Sequence, residues 1–198
     1  MKDLFKTLFI SGVIGAAAFV GGTALAQPSG KPLPTSEQPI KPERNPPGDI
    51  PDNQAFITYQ SPLGFSIKVP EGWARRDAAN GAAFNDKYNT IVLSIQNRTE
   101  PLTVASIKGS EIPALEKTEK AIRVSAVKEL KLPSGRAIVV SYCSNSEPNP
   151  VTNKAIRLEN ERYFFWRGGK LIALTLSAPY GADNTDQWTL MAKSFRWR

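Results

Sequence analysis

Two adjacent glycines, Gly168 and Gly169, separate two long runs of strand-forming residues, Lys154 to Arg167 and Lys170 to Ala178. Both glycines accept a positive φ, which a two-residue hairpin loop of the primed type requires. Pairing the runs about that loop puts Tyr163 and Phe165 on one face with Ile172 and Leu174. It puts Phe164 and Trp166 on the other face with Leu171 and Ala173. Both faces are apolar, so the sheet needs cover on both sides, and amphipathic helices supply it. The expected fold is α+β, an antiparallel β-sheet sandwiched between helices.

Other segments fit that frame. Phe56 to Gln60 and Phe65 to Val69 alternate on either side of Ser61-Pro62-Leu63-Gly64, a turn sequence, and read as a second hairpin closed by the large apolar Trp73. Short and long strands are expected over Ala82 to Asn85, Thr90 to Gln96, Val124 to Leu132 and Ala137 to Cys143. Ser110 to Ile122 reads as a helix with Ser110 as its cap and Pro113 in the first turn. Asp183 to Phe195 reads as a second helix, since Trp188, Met191, Ala192 and Phe195 fall at helical spacing. Asn145 to Asn153, with Pro148 and Pro150, reads as a loop.

The N-terminal quarter differs in character. A short basic start (Lys2, Lys6) precedes an apolar centre, Leu8 to Gly22, which ends in Ala24-Leu25-Ala26. That is the pattern of a secretory signal peptide over residues 1–26, with cleavage after Ala26. An uncleaved membrane anchor is the alternative, because a run of this length could span a bilayer. Residues 27–52 hold eight of the sixteen prolines and no aromatic residue, so they read as a disordered, semi-extended linker. Residues 53–198 then form a single globular domain. The expected home is the periplasm or an equivalent lumen.

The chemistry available is limited. The chain has no histidine, which removes Ser-His-Asp triads, Cys-His pairs and histidine metal sites. Ser125 and Lys128 match the S-x-x-K spacing of penicillin-recognising serine enzymes, without the companion motifs and on a segment that reads as a strand. A Ser/Lys hydrolase is therefore the weakest functional reading. Glu159 and Glu161 share one strand face, but two carboxylates are too few donors for a dedicated cation site. Cys143, the one cysteine, excludes an intramolecular disulfide and reads as a buried small hydrophobe. No cofactor, metal or catalytic residue is implied. Without residues 1–26 the chain carries 23 basic and 17 acidic residues, a net charge of +6. That balance leans toward acidic partners or an anionic lipid surface. The charges are scattered, with no basic stripe interleaved with aromatics, so nucleic acid is not an expected partner.

Ser61 to Trp73, S-P-L-G-F-S-I-K-V-P-E-G-W, resembles the opening hairpin of PsbP-like domains. Leu174 to Tyr180, followed by Trp188, Met191, Ser194 and Phe195, resembles their last strand and closing helix. The resemblance covers about residues 55–197 and implies an α/β/α sandwich that is usually non-enzymatic. PsbP itself is an extrinsic subunit of the photosynthetic oxygen-evolving complex, and bacterial relatives include exported proteins. Metal-binding members use histidines. This chain has none, so no site residue is carried over.

The functional reading is an exported, non-enzymatic accessory module that helps assemble or stabilise a membrane-associated protein complex at the cell envelope. A carrier or sensor holding a small ligand between sheet and helix is the alternative. The candidate partner contacts are Arg162, Trp166, Arg167 and Lys170, read together at the tip of the Gly168-Gly169 hairpin. Arginine and aromatic residues are enriched at binding hot spots. The competing reading makes the aromatics core and the charges solubilising surface.

Overall fold

The computed structural model describes residues 37–198. The expected signal peptide and the first part of the expected linker lie outside them. The elements run β1 (Phe56–Ser61), β2 (Phe65–Pro70), β3 (Ala74–Ala78), β4 (Gly81–Asn85) and β5 (Thr90–Asn97). Then come α1 (Val104–Ser106), a π-helical turn (Ile107–Glu111), α2 (Ile112–Thr118), β6 (Lys120–Leu132), β7 (Gly135–Asn145), β8 (Arg157–Arg167) and β9 (Lys170–Pro179). The chain closes with α3 (Thr185–Ser194) and β10 (Arg196–Trp197).

The β8–β9 hairpin sits near the middle of a seven-stranded sheet ordered β3-β4-β5-β9-β8-β7-β6. Each neighbouring pair is antiparallel. Its register is the expected one, with Tyr163 opposite Leu174 and Phe165 opposite Ile172. Period two then sorts the side chains into two cores. Leu102, Ile107 and Leu115 from the helical segment meet Ile138, Val140, Tyr142, Phe164, Leu171 and Ala173 on one face. On the other, Met191, Ala192, Trp188 and Phe195 meet Tyr163, Phe165, Ile172 and Leu174. Phe195 stacks on Phe165 with ring centroids 4.0 Å apart and on Phe65 at 6.0 Å. Each such fully buried side chain contributes roughly 1.5–3 kcal/mol.

Helices do not cover the second face alone. The opening hairpin leaves the main sheet, and with β10 it forms a separate three-stranded sheet, β1-β2-β10. Phe65, Ile67 and Val69 on β2 bury their side chains in the same core as α3. Trp73 is half-buried at the margin of this core, where a fully enclosed anchor was expected.

The first helix also differs from expectation. It starts at a capping box, in which Thr103 and Ser106 bond each other's backbone N–H, and not at Ser110. Ser110 lies in the π-turn and donates its hydroxyl to the Ser106 carbonyl at 2.6 Å. The helix ends at Thr118, because Glu119 is extended and Ala121 takes a φ of 47°. The residues from Lys120 onward join β6, since they pair with β7 as far as Asn145.

The described part of the expected linker, residues 37–52, is not a free tether. Ile50 is 3% exposed and belongs to the core. Its N–H donates to Asn184 Oδ1 at 2.6 Å, and its carbonyl accepts from Gln187 Nε2 at 3.1 Å. Asn184 Nδ2 donates to the Gly48 carbonyl at 3.0 Å. Gly48 holds a φ of 121°, and a Cβ there would meet Pro179 Cδ at 2.9 Å, so a side chain would be both strained and crowded. Further back, Ile40 N–H donates to Asn145 Oδ1 at 3.1 Å, while Asn145 Nδ2 donates to the Gln38 carbonyl at 2.9 Å. Prolines already restrict the unfolded segment, so a few hydrogen bonds and one buried isoleucine suffice to hold it. We call this segment the strap.

Candidate functional site

The β8–β9 turn is built by Gly168 and Gly169, whose φ values of 56° and 76° match a type I′ loop. That loop sets Arg167 opposite Lys170, both exposed. The adjoining strands bring Arg136 and its partner Lys131 to the same end of the sheet. Arg136 is paired with Glu129 at 2.6 Å. Among the described residues, Arg167, Lys170 and Lys131 enter no ion pair.

Trp166 joins this end from the helical face. It is half-buried, and its Nε1–H donates to the Arg98 carbonyl at 2.9 Å. Arg98 N–H in turn donates to the Gly169 carbonyl at 2.8 Å, and its guanidinium pairs with Glu111 at 2.9 Å. The turn is thereby tied to the segment that leads into α1. Below Trp166 lies an apolar cavity of about 200 Å³, walled by Pro101, Leu102, Ile138 and Phe164 and edged by Arg136. A basic rim beside an aromatic ring and an apolar recess can accept an acidic, partly apolar surface.

Arg162 does not belong to this group. It lies five positions before Arg167, about 17 Å away along an extended strand. Its guanidinium lies over the Phe164 ring, 5.5 Å from the centroid, inside a cleft between α2 and the sheet. Tyr163 and Phe165 point to the opposite face and are 5% and 1% exposed, so they are core. The hairpin thus divides: Trp166, Arg167 and Lys170 meet at the tip, Arg162 stands apart, and the remaining aromatics hold the sheet. Period-two alternation separates Arg162 from Arg167 by face, and strand spacing separates them in distance.

Glu159 and Glu161 line a different cleft, of about 290 Å³, with Cys143, Tyr180, Asn184 and Trp188 beside the start of α3. Burial raises the Glu159 carboxyl above its ordinary range. Glu161 accepts a hydrogen bond from the Tyr163 hydroxyl. Cys143 is half-buried, not enclosed, and burial pushes its thiol up, so it is not an activated nucleophile. No group of three or more acidic or cysteine side chains among the described residues is placed to hold a metal ion. Ser125 and Lys128 lie on the extended β6, about 10 Å apart along the strand, and Ser125 donates its hydroxyl to the Ser141 carbonyl at 2.9 Å. A lysine at that remove is out of hydrogen-bond reach of the serine.

No family model matches the chain, and no curated protein matches its sequence. Its fold is similar to the solution structure of cyanobacterial PsbP (CyanoP) from Synechocystis. The TM-score is 0.56 at 13% identity, over 73% of this chain and 94% of that one. At that identity the likeness is one of fold. It accords with the α+β architecture of antiparallel sheets and short helices, and with the expected PsbP-like arrangement. A Pseudomonas aeruginosa protein of unknown function has a TM-score of 0.44 at 12% identity, over 70% of this chain and 94% of that one. A Bacteroides thetaiotaomicron structure has a TM-score of 0.47 at 12% identity, over 71% of this chain and 48% of that one.

Proposed function

We propose that the protein is an exported, non-enzymatic accessory module that binds an acidic protein partner at the cell envelope through the β8–β9 end of its sheet. The observation that carries the reading is Arg167 and Lys170, both without an ion-pair partner among the described residues, beside half-buried Trp166 and the apolar recess below it. Unpaired cations at an interface rim raise association rates and select acidic partners, while the aromatic ring and recess supply the buried area. Export rests on Ala24-Leu25-Ala26 after the apolar stretch. No helix among the described residues is long and apolar enough to cross a membrane. N-terminal sequencing of protein from an envelope fraction is expected to begin at Gln27; an intact Met1 overturns cleavage.

The test of the binding surface is a photo-crosslinking residue at Lys131, in intact cells, with and without Arg167→Glu/Lys170→Glu. The reading expects one dominant crosslinked protein with an acidic surface, lost on charge reversal, while stability changes by only a few tenths of a kcal/mol. Unchanged crosslinking in a folded double variant overturns it. Loss of co-sedimentation with anionic vesicles, with no protein crosslinked, assigns the same cations to a lipid surface instead.

A further inference from the structure

The cleft that holds Arg162 is separate from the sheet end. Its floor is Leu171, Ala173 and Phe164 on β8 and β9, its wall is Ala114 and Leu115 on α2, and its volume is about 240 Å³. The helical segment covers only part of this face. Past its edge the sheet continues with Ser94 and Gln96 on β5, which give the cleft polar groups opposite the helix.

Arg162 lies in this cleft with its charge uncompensated. No carboxylate of the described residues is within 4 Å of its nitrogens. Its Nε is buried and has no hydrogen-bond partner. A buried, unsatisfied donor on a charged group is costly, and such groups in native proteins call for an explanation. The surrounding groups bring it a neutral hydroxyl, that of Tyr142, and no carboxylate. Glu111, on the cleft rim, is taken by Arg98 at 2.9 Å. Tyr142 donates its hydroxyl to Glu119 at 2.8 Å, and burial together with Glu119 keeps that proton in place. The phenol therefore carries no charge to set against the guanidinium.

We propose that this cleft is a binding site for a small monocarboxylate, with the carboxylate on the Arg162 guanidinium and the apolar part against Leu115, Leu171 and Ala173. A guanidinium edge matches a carboxylate with two parallel N–H···O bonds, and the cation's position over Phe164 holds that edge in place. One arginine matches one negative charge. A phosphate dianion would face Glu111 with no second cation among the lining residues. The volume is below that of drug-sized pockets, which sets the ligand as a short aliphatic or single-ring acid. Ser94 and Gln96 add polar side chains to the cleft lining.

Titration of the purified full chain with benzoate, followed by amide NMR, tests the site. Saturable shifts are expected at Gln96, Ala114, Leu115 and Leu171, with benzamide and inorganic phosphate at least tenfold weaker. Arg162→Leu should weaken benzoate at least tenfold, and Arg162→Lys should fall between, since it keeps the charge and loses the fork. The melting temperature of Arg162→Leu is expected to be unchanged or higher, because an unsatisfied buried donor is removed. Benzoate should raise the melting temperature of the unaltered protein and leave that of Arg162→Leu where it was. Should Arg162→Leu fail to fold, Ala114→Leu fills the cleft from its rim and should abolish the shifts. Benzamide binding as tightly as benzoate, preference for phosphate, or unchanged binding in Arg162→Leu or Ala114→Leu overturns the proposal.

Discussion

Glu159 shows how one position departs from its sequence reading. Its place on one strand face with Glu161 suggests a solvated pair, yet the start of α3 and Tyr180 line the cleft around it. Burial raises its carboxyl, opposed in part by a backbone N–H bond from Gly181 and reinforced by Glu161 and Asp183. The folded-state pKa therefore lies above the unfolded one. The folded protein holds the proton more tightly, so the contribution to stability is fully present below about pH 4 and is lost as pH rises through the raised value. Glu159→Gln removes that loss. Melting temperatures measured from pH 4 to 7 should show the variant gaining on the unaltered protein as pH rises, with the gap closing at the acid end. A gap independent of pH would mean that the carboxylate is effectively solvated.

The strap is where an element escaped the sequence. Its composition is that of a linker, because no periodic apolar pattern marks a docked segment; the single residue that docks deeply is Ile50. The groups that hold it, Asn145, Asn184 and Gln187, are buried polar residues far along the chain. Nothing in their local sequence announces a partner more than a hundred positions earlier. Deleting residues 27–50 should cost about 3 kcal/mol, from one buried isoleucine and several hydrogen bonds, which lowers the melting temperature by roughly 6–12 °C. Asn184→Ala should cost about 2 kcal/mol on its own, since it leaves the Ile50 N–H and the Gly48 carbonyl without partners. A truncation that melts within a degree of the full chain would show that the strap only rests on the surface. The helical segment Val104–Thr118 starts earlier than the sequence suggests for a related reason. Ser110 looks like a cap, but Thr103 and Ser106 satisfy each other first and start the helix earlier.

At the scale of the whole molecule, one seven-stranded sheet serves two cores, so both cores draw on the same strands and loss of the sheet dissolves both. Unfolding should therefore be a single transition. Trp166 lies on the helical-segment face, while Trp188 on α3, Trp73 and Trp197 all lie against the other core. Trp166→Phe therefore leaves only that second core to fluoresce, and a variant with the other three tryptophans changed to Phe leaves only Trp166. Fluorescence midpoints in denaturant from Trp166→Phe and from Trp73→Phe/Trp188→Phe/Trp197→Phe should each coincide with the variant's own far-ultraviolet dichroism midpoint. A separated transition in either variant would show that one face opens alone.

The sequence by itself determined the central hairpin, its register and the identity of both apolar faces, because strand alternation and a Gly-Gly turn are local properties that survive any tertiary context. It also determined the apolar residues that α3 and its C-cap bury, since Trp188, Met191, Ala192 and Phe195 follow helical spacing. The sheet that the opening hairpin joins was decided only by the tertiary structure, where β10 pairs with β2 and Phe195 stacks between Phe65 and Phe165. Only the tertiary structure, too, set α2 over the sheet beside Arg162 and so gave it a cleft of its own; its separation from Arg167 follows from strand spacing alone. Proximity across a sheet depends on where a helix ends above it, and that depends on long-range packing that no local pattern records.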